Sequence, residues 1–261
     1  MDLQLAGKVA VVTGASKGIG LAITRSLAAE GVHVVAGALK GSDELDVMAD
    51  QKDVHPVLVD LTALDGPATL ISEAVSRFDV IDVLVNNVGA VRPRLGGFLA
   101  VGDEDWDWAM TINFFAAVRT MRAALPHLIT RGGASIVTIS SVNAFLPDPS
   151  VIDYSAAKAA LTNLCKSLSK EYGGKVRVNT VSPGPVQTDL WLGDDGVAAT
   201  VASAHGTTAD AVARQAAAEA ATGRFTYPHE IADLALFLAS DRAANITGAD
   251  FTIDGGLITT I

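Results

Sequence analysis

The pattern that most restricts the fold of this chain is an alternation. Short runs rich in Val and Ile, at Lys8–Thr13, Val32–Gly37, Val54–Val59, Val80–Asn86, Ala134–Ser140, Val176–Ser182 and Asp250–Ile253, are separated by stretches of helical character. A strand with one wet face alternates apolar and polar residues. Most of these runs do not, which is the mark of strands covered on both faces in a parallel sheet. Helices are expected from Gly18, where Ile19, Ala22, Ile23 and Leu27 share a face, and over Asp103–Thr130, where Asp103, Glu104 and Asp105 suit a helix N-terminus. Two more are expected over Ile152–Tyr172, stopped by Gly173-Gly174, and from Pro228 and Glu230 to near Ser240. The chain reads as α/β: a doubly wound, Rossmann-type parallel sheet of about seven strands flanked by helices in three layers. No repeat, linker or shift of composition marks a boundary, so residues 1–261 read as a single domain.

Ligands of such sheets bind beyond the C-terminal ends of the strands, so polar residues just past a strand are site candidates. The first strand runs into Thr13-Gly14-Ala15-Ser16-Lys17-Gly18-Ile19-Gly20. Glycines there let the backbone turn sharply and approach a pyrophosphate seated on the helix N-terminus. The spacing is neither G-x-G-x-x-G nor the phosphate loop of ATPases. The second strand ends on Gly37-Ala38-Leu39-Lys40, where a dinucleotide fold usually places an acid that holds a ribose diol. The fourth ends in Asn86-Asn87-Val88-Gly89, the fifth in Ser140-Ser141, and the sixth passes Asn179 on its way to Pro183-Gly184. Tyr154 and Lys158 stand at i and i+4 near a helix start and share a face. A cation about 4 Å from a phenol contributes about 4 kcal/mol at an effective dielectric near 20. That predicts a Tyr154 pKa lowered toward neutrality and an acid/base role.

Composition narrows the partners. A net charge of −10 without a basic block argues against nucleic acid and anionic membranes. His33, His55, His127, His205 and His229 are too scattered for metal-ligand spacing, so no metal is expected. Cys165, the one cysteine, lies among Leu161, Leu164 and Leu168 and reads as a small buried apolar residue in a reducing, cytoplasmic protein. "MDLQLAGKVAVVTG" lacks the charged leader and cleavage site of a signal peptide, and no apolar run is long enough to span a membrane.

Taken together the motifs resemble the short-chain dehydrogenase/reductase family over essentially the whole chain, in its compact, ketoacyl reductase-like form. "TGASKGIG" resembles its cofactor loop, "DLT" its adenine-side motif, "NNVG" its central-strand motif and "YSAAK" its catalytic signature. "PGPVQT" resembles its nicotinamide-side loop and "ITGADFTIDGG" its last strand. Val88 departs from the alanine usual in the family. The resemblance implies a catalytic set of Asn113, Ser141, Tyr154 and Lys158. Tyr154 would be the general acid/base, and Lys158 would lower its pKa and hold the nicotinamide ribose. Ser141, selected over Ser140 by the family's spacing, would hydrogen-bond the substrate oxygen. Asn113 would anchor a water chain through Lys158. The same resemblance assigns the cofactor to Gly14, Ser16, Lys17, Gly18, Ile19, Gly20, Leu39, Lys40, Asp60, Leu61, Asn87, Val88, Gly89, Tyr154, Lys158, Pro183, Gly184, Val186 and Thr188. Alanine at position 38 and a cation at Lys17 resemble the mark of NADP-preferring members. Lys40 is displaced by one from a second such mark. The expectation is NADP(H) preferred, with NAD(H) possible.

Residues 186–223 read as a substrate-covering lid, with breaks at "DDG" and "HGTTAD". Val142, Leu146, Val186, Trp191 and Leu192 are expected in the pocket wall, and Arg92 and Arg94 at its rim. The substrate expected is a neutral ketone or secondary alcohol. Family resemblance further implies a homotetramer or homodimer through the helices over 103–130 and 152–172. The alternatives are an NAD-dependent alcohol dehydrogenase, a non-catalytic NAD(P)-binding redox sensor, an enoyl reductase and a nucleotide-sugar epimerase. A sensor would be expected to lose Tyr154 or Lys158. Enoyl reductases resemble a Tyr-to-Lys spacing of six intervening residues, against three here. An epimerase would need a larger C-terminal domain.

Overall fold

Every expected strand forms, within a few residues at each end. The computed structural model describes residues 2–50 and 54–260. Along the chain it has β1 (Val9–Thr13), α1 (Gly18–Ala29), β2 (His33–Ala38), α2 (Asp43–Asp50), β3 (Val54–Leu58), α3 (Gly66–Phe78) and β4 (Val83–Asn86). There follow α4 (Asp103–Met110), α5 (Ala116–Arg131), β5 (Ala134–Ile139), α6 (Ile152–Tyr172) and β6 (Val176–Pro183). The last part holds α7 (Asp189–Leu192), α8 (Val197–His205), α9 (Ala209–Glu219), α10 (Pro228–Ala239) and β7 (Asp250–Ile253).

The strands pair in the order β3-β2-β1-β4-β5-β6-β7, all parallel. Alternate residues of a strand point to opposite faces, and both faces here are covered. Ala10 and Val12 of β1 and Val34 and Ala36 of β2 meet Ile23 and Leu27 of α1 and Ile231 and Leu238 of α10. Val11 and Val35, one residue out of phase, join Leu70 of α3, Met121 and Leu128 of α5 and Leu161 of α6. The unbroken apolar runs are thus explained by two cores sharing one sheet. Pro56 sits in β3, an edge strand, where its missing N–H spoils no inner ladder.

The chain builds outward from β1 through β2 to β3, then returns to lay β4 on the other side of β1. This reversal leaves a crevice between the C-terminal ends of β1 and β4, the usual ligand position in such sheets. Two features bear on that crevice, the first of them a departure from the expected pattern. The single helix expected over Asp103–Thr130 is two helices joined by a π turn at Thr111–Phe115. The segment expected as a lid is tied at its base: Val186 bridges Thr226, Gln187 N–H donates to the Thr226 carbonyl at 2.9 Å, and Thr226 N–H to that of Pro185 at 3.0 Å. Between those ties run α7, α8 and α9, broken at Gly193–Gly196 and Gly206–Thr208, where the "DDG" and "HGTTAD" sequences stand.

Candidate active site

The floor of the crevice is a hydrogen-bonded splice between β1 and β4. Thr13 Oγ1 donates to the Val85 carbonyl at 3.3 Å and accepts the N–H groups of Asn87 at 2.9 Å and Val88 at 3.1 Å. The Asn87 amide donates to the carbonyls of Thr13 at 2.9 Å and Gly14 at 3.1 Å. The glycine loop is thereby fixed before any ligand enters. Gly14 and Gly18 are left-handed, with φ of 66° and 55°. A side-chain carbon on Gly20 would lie 2.1 Å from the Gly14 carbonyl oxygen and 2.5 Å from Asn87 Nδ2. One on Gly18 would lie 3.3 Å from Thr188 Cγ2, which brings the loop after β6 over the glycine loop. Side chains are kept away from the N-terminus of α1, the geometry a pyrophosphate needs. The residues present fit a dinucleotide.

Lys17 is exposed at the N-cap of α1, and Leu39, 67% exposed, and Lys40 are exposed beyond β2. Ser16, Ile19, Val88, Pro183 and Gly184 line the strand ends, with Pro183 buried and the others partly so. Asp60 accepts the Thr62 N–H at 2.8 Å and its hydroxyl at 2.6 Å, and these bonds hold its carboxyl below the usual range. Leu61 sends its side chain into the core shared by α3, α5 and α6. Only its backbone is left for a nucleotide.

Across the crevice the polar residues converge. Asn113 sits in the π turn, fully buried. Its Nδ2 donates to the carbonyls of Ala90 at 2.8 Å and Ala109 at 3.0 Å, and its Oδ1 accepts the Ala90 N–H at 3.0 Å. A π turn interrupts the regular i→i+4 pairing, and such turns gather at functional sites. A side-chain carbon on Gly89 would meet Asn113 Oδ1 at 2.9 Å and Lys158 Nζ at 3.4 Å, so one small space is bounded by both. Lys158 Nζ donates to the Ile139 carbonyl at 2.9 Å and stands 5.7 Å from the centre of the Tyr154 ring. The two serines separate by environment. Ser140 Oγ is bonded to Thr162 Oγ1 at 2.6 Å, in the packing under α6. Ser141 Oγ donates to Asn143 Oδ1 at 3.1 Å and also interacts with the Tyr154 hydroxyl. Ser141 Oγ also accepts the Asn143 N–H at 3.2 Å.

The electrostatics differ from the sequence expectation. Burial pushes the Tyr154 phenol above its ordinary pKa, and the Ser141 hydrogen bond only partly opposes this. Burial also drives the Lys158 ammonium down, to about 8, with the Cys165 thiol acting in the other direction. Lys158 directs its hydrogen bond at Ile139 and is itself pushed toward neutrality, so the protein alone does not lower the phenol.

Several sequence candidates fall elsewhere. Asn179 is buried away from the crevice: it donates to the Ile246 carbonyl at 2.9 Å and accepts the Ala249 N–H at 3.1 Å, fixing the approach to β7. Arg92 lies over the Trp108 ring, 3.9 Å from its centre. Arg94 is not at a rim but is bound to Asp153 and Asp105. Of the expected pocket wall, Val142 and Val186 are buried, Leu146 and Leu192 are half exposed, and Trp191 leans on Phe225 with ring centres 5.4 Å apart. Asp153 and Asp105 escape a sequence reading. Each looks like an ordinary first-turn acid, and neither spacing nor period announces that both meet Arg94. Cys165 is buried, as expected. Among the described residues no group of three or more His, Cys, Asp or Glu could hold a metal ion, and no helix is long and apolar enough to cross a membrane.

A doubly wound sheet, a fixed glycine loop at its reversal and a Tyr-Lys-Ser-Asn cluster across the crevice define the class of dinucleotide-binding oxidoreductases. Comparison with known proteins agrees. A family model described as "Enoyl-(Acyl carrier protein) reductase" matches residues 14–258. The chain is 32% identical to 3-oxoacyl-[acyl-carrier-protein] reductase FabG of Thermotoga maritima, covering 98% of this chain and 100% of that one. It is 36% identical to D-threitol dehydrogenase of Mycolicibacterium smegmatis, covering 98% and 94%. Among solved structures, L-sorbose reductase from Gluconobacter frateurii, complexed with NADPH and L-sorbose, superposes with a TM-score of 0.91 at 33% identity over 100% of both chains. The chain belongs to the short-chain dehydrogenase/reductase family and is an oxidoreductase of that family.

Proposed function

We propose that this chain exchanges a hydride between NADP(H) and a neutral ketone or secondary alcohol, with Tyr154 as general acid/base. The observation that carries this is the approach of Asn113 Oδ1 and Lys158 Nζ to one point beside Gly89, next to a tyrosine that interacts with Ser141. The bound nicotinamide supplies the hydride. Gly14, Ser16, Lys17, Gly18, Ile19 and Gly20 hold the pyrophosphate end, with Leu39, Lys40, Asp60 and Leu61 on the adenosine side. Asn87, Val88, Gly89, Pro183, Gly184, Val186 and Thr188 hold the nicotinamide end.

The roles proposed for the chain's own groups are supported by where they stand. Tyr154 Oη gives its proton to the carbonyl oxygen in reduction and takes the hydroxyl proton in oxidation. Ser141 turns its one proton from Asn143 to the substrate oxygen, where charge develops. Lys158, with a pKa near 8, passes protons at neutral pH, and Asn113 fixes the backbone beside it. The raised pKa keeps Tyr154 protonated at neutral pH, the form in which it donates to a carbonyl oxygen.

The substrate class is supported by the apolar character of the residues expected in the pocket wall, Val142, Leu146, Trp191 and Leu192, and by relatives named for L-sorbose and D-threitol. The spacing of Tyr154 and Lys158, with three intervening residues, supports a carbonyl rather than an enoyl substrate. Residues 186–223 cover the substrate, within a single cytoplasmic domain over 1–261. The proposed assembly is a homotetramer or homodimer through the helices over 103–130 and 152–172, a reading supported by the exposure of Phe115 and Ala156 there. The test is a panel holding a ketose, a simple ketone, a polyol and a 3-oxoacyl thioester, each with NADPH, NADH or the oxidised forms. Turnover of a neutral ketone with NADPH is expected. Faster turnover with NADH, or turnover of the thioester alone, would overturn the cofactor or substrate part.

A further inference from the structure

The loop after β4 carries a cation that the proposed chemistry does not use. The Arg94 side chain is 11% exposed. Its Nε and Nη2 donate to Asp153 Oδ2 at 2.9 and 2.6 Å, and its Nη1 donates to Asp105 Oδ1 at 2.7 Å. The Asp153 side chain is 1% exposed, and its second oxygen accepts the Tyr154 N–H at 2.9 Å. Asp105 also accepts the Gly102 N–H through Oδ2 at 3.3 Å. One guanidinium therefore joins its own loop to the first turn of α4 and the first turn of α6. α4 leads into the π turn that holds Asn113, and α6 carries Tyr154 and Lys158.

A buried carboxylate is costly unless fully paired. Capping the start of α6 does not call for one, since an exposed Ser, Thr or Asp does as much. What a buried, planar, multiply bonded pair adds is direction. We propose that Arg94 and Asp153 are positioning residues that set the place of Tyr154 relative to Asn113, with the Arg94 guanidinium engaged by Asp153 and Asp105. This rests on the reading of Tyr154 as the acid/base group.

The experiment compares wild type with Arg94→Gln, Arg94→Lys, the double variant Arg94→Gln/Asp153→Asn, and Tyr154→Phe. It measures kcat and KM for NADPH with the fastest ketone of the panel, and Tm. A misplacement of about 1 Å near the chemistry is worth on the order of 100-fold in rate. Arg94→Gln should lower kcat at least tenfold while KM for NADPH stays within about twofold, and Arg94→Lys should restore part of kcat. Arg94→Gln alone strands a buried carboxylate and lowers Tm. The double variant removes that charge, so Tm should return toward wild type while kcat stays low. Recovery of kcat together with Tm would overturn the proposal, because Arg94 would then only stabilise the fold. An active Tyr154→Phe protein, or a wild type inactive in both directions, would overturn the acid/base reading and take the positioning role with it.

Discussion

Asn113 grips Ala90 at both ends of its side-chain amide, giving to the carbonyl at 2.8 Å and taking from the N–H at 3.0 Å. The contact spans 23 residues and ties the π turn to the backbone just past Gly89. Removing one partner of such bonds leaves donors and acceptors unpaired, at about 1–3 kcal/mol per group. Asn113→Ala should therefore lose about 2 kcal/mol of stability and most of its turnover. Urea unfolding followed by circular dichroism checks the first. An unchanged midpoint would show that water replaces the amide.

Gly20 faces backbone on its open side. A methyl there would sit 2.1 Å from the Gly14 carbonyl oxygen and 2.5 Å from Asn87 Nδ2, so the loop backbone must move together with the Asn87 amide. Gly20→Ala should weaken NADPH binding more than tenfold, read from the fluorescence of the bound nucleotide. Retained affinity would mean that the loop is not the pyrophosphate seat.

Lys158 has a depressed pKa in the folded protein, about 8 against its ordinary 10.5. Below pH 8 both states hold the proton and the native state bears the full cost of a buried ammonium. Between about pH 8 and 10.5 the unfolded chain binds more protons than the native one, so this group's contribution becomes more favourable as pH rises. Cys165, pushed up to about 11, works the other way above pH 9. Subtraction isolates the lysine. Lys158→Met should stabilise the protein most near pH 7, and its advantage should shrink toward pH 10 in parallel urea titrations. A constant difference would mean that Lys158 keeps its ordinary pKa.

Lys17 is exposed at the mouth of the glycine loop. Lys17→Glu should raise KM for NADPH about tenfold, roughly 1.4 kcal/mol, and leave KM for NADH nearly unchanged. Equal effects on both cofactors would remove Lys17 from the choice between them.

The inner strands β1, β2 and β4 were legible because they are buried on both faces, which turns burial into a run of Val, Ala and Leu, whereas the edge strands β3 and β7 are partly exposed. The breaks at Asp194–Gly196 and Gly206–Thr208 were legible from glycine, which ends helices whatever surrounds it. The π turn was not, because it is confined to the single turn Thr111–Phe115, too short a stretch to register as a change of apolar period over Asp103–Thr130. Asn179 looked like a residue at a strand end, yet its partners Ile246 and Ala249 lie 67 and 70 residues away. Arg94 and Asp153 are 59 residues apart, and only the fold brings them together. The direction of the Tyr154 shift was misread for a related reason. A neighbouring lysine can be read from sequence, but its own burial and its bond to Ile139 cannot.

The central claim is that Tyr154 moves the proton while other residues hold the cofactor. The direct measurement is the rate of NADPH absorbance loss with the best ketone for wild type and Tyr154→Phe, alongside NADPH binding to each. The account predicts that kcat falls by about 100-fold or more in the variant, within the range general acid catalysis supplies, while NADPH affinity stays within a few-fold. A Tyr154→Phe protein that turns over at a wild-type rate would contradict it.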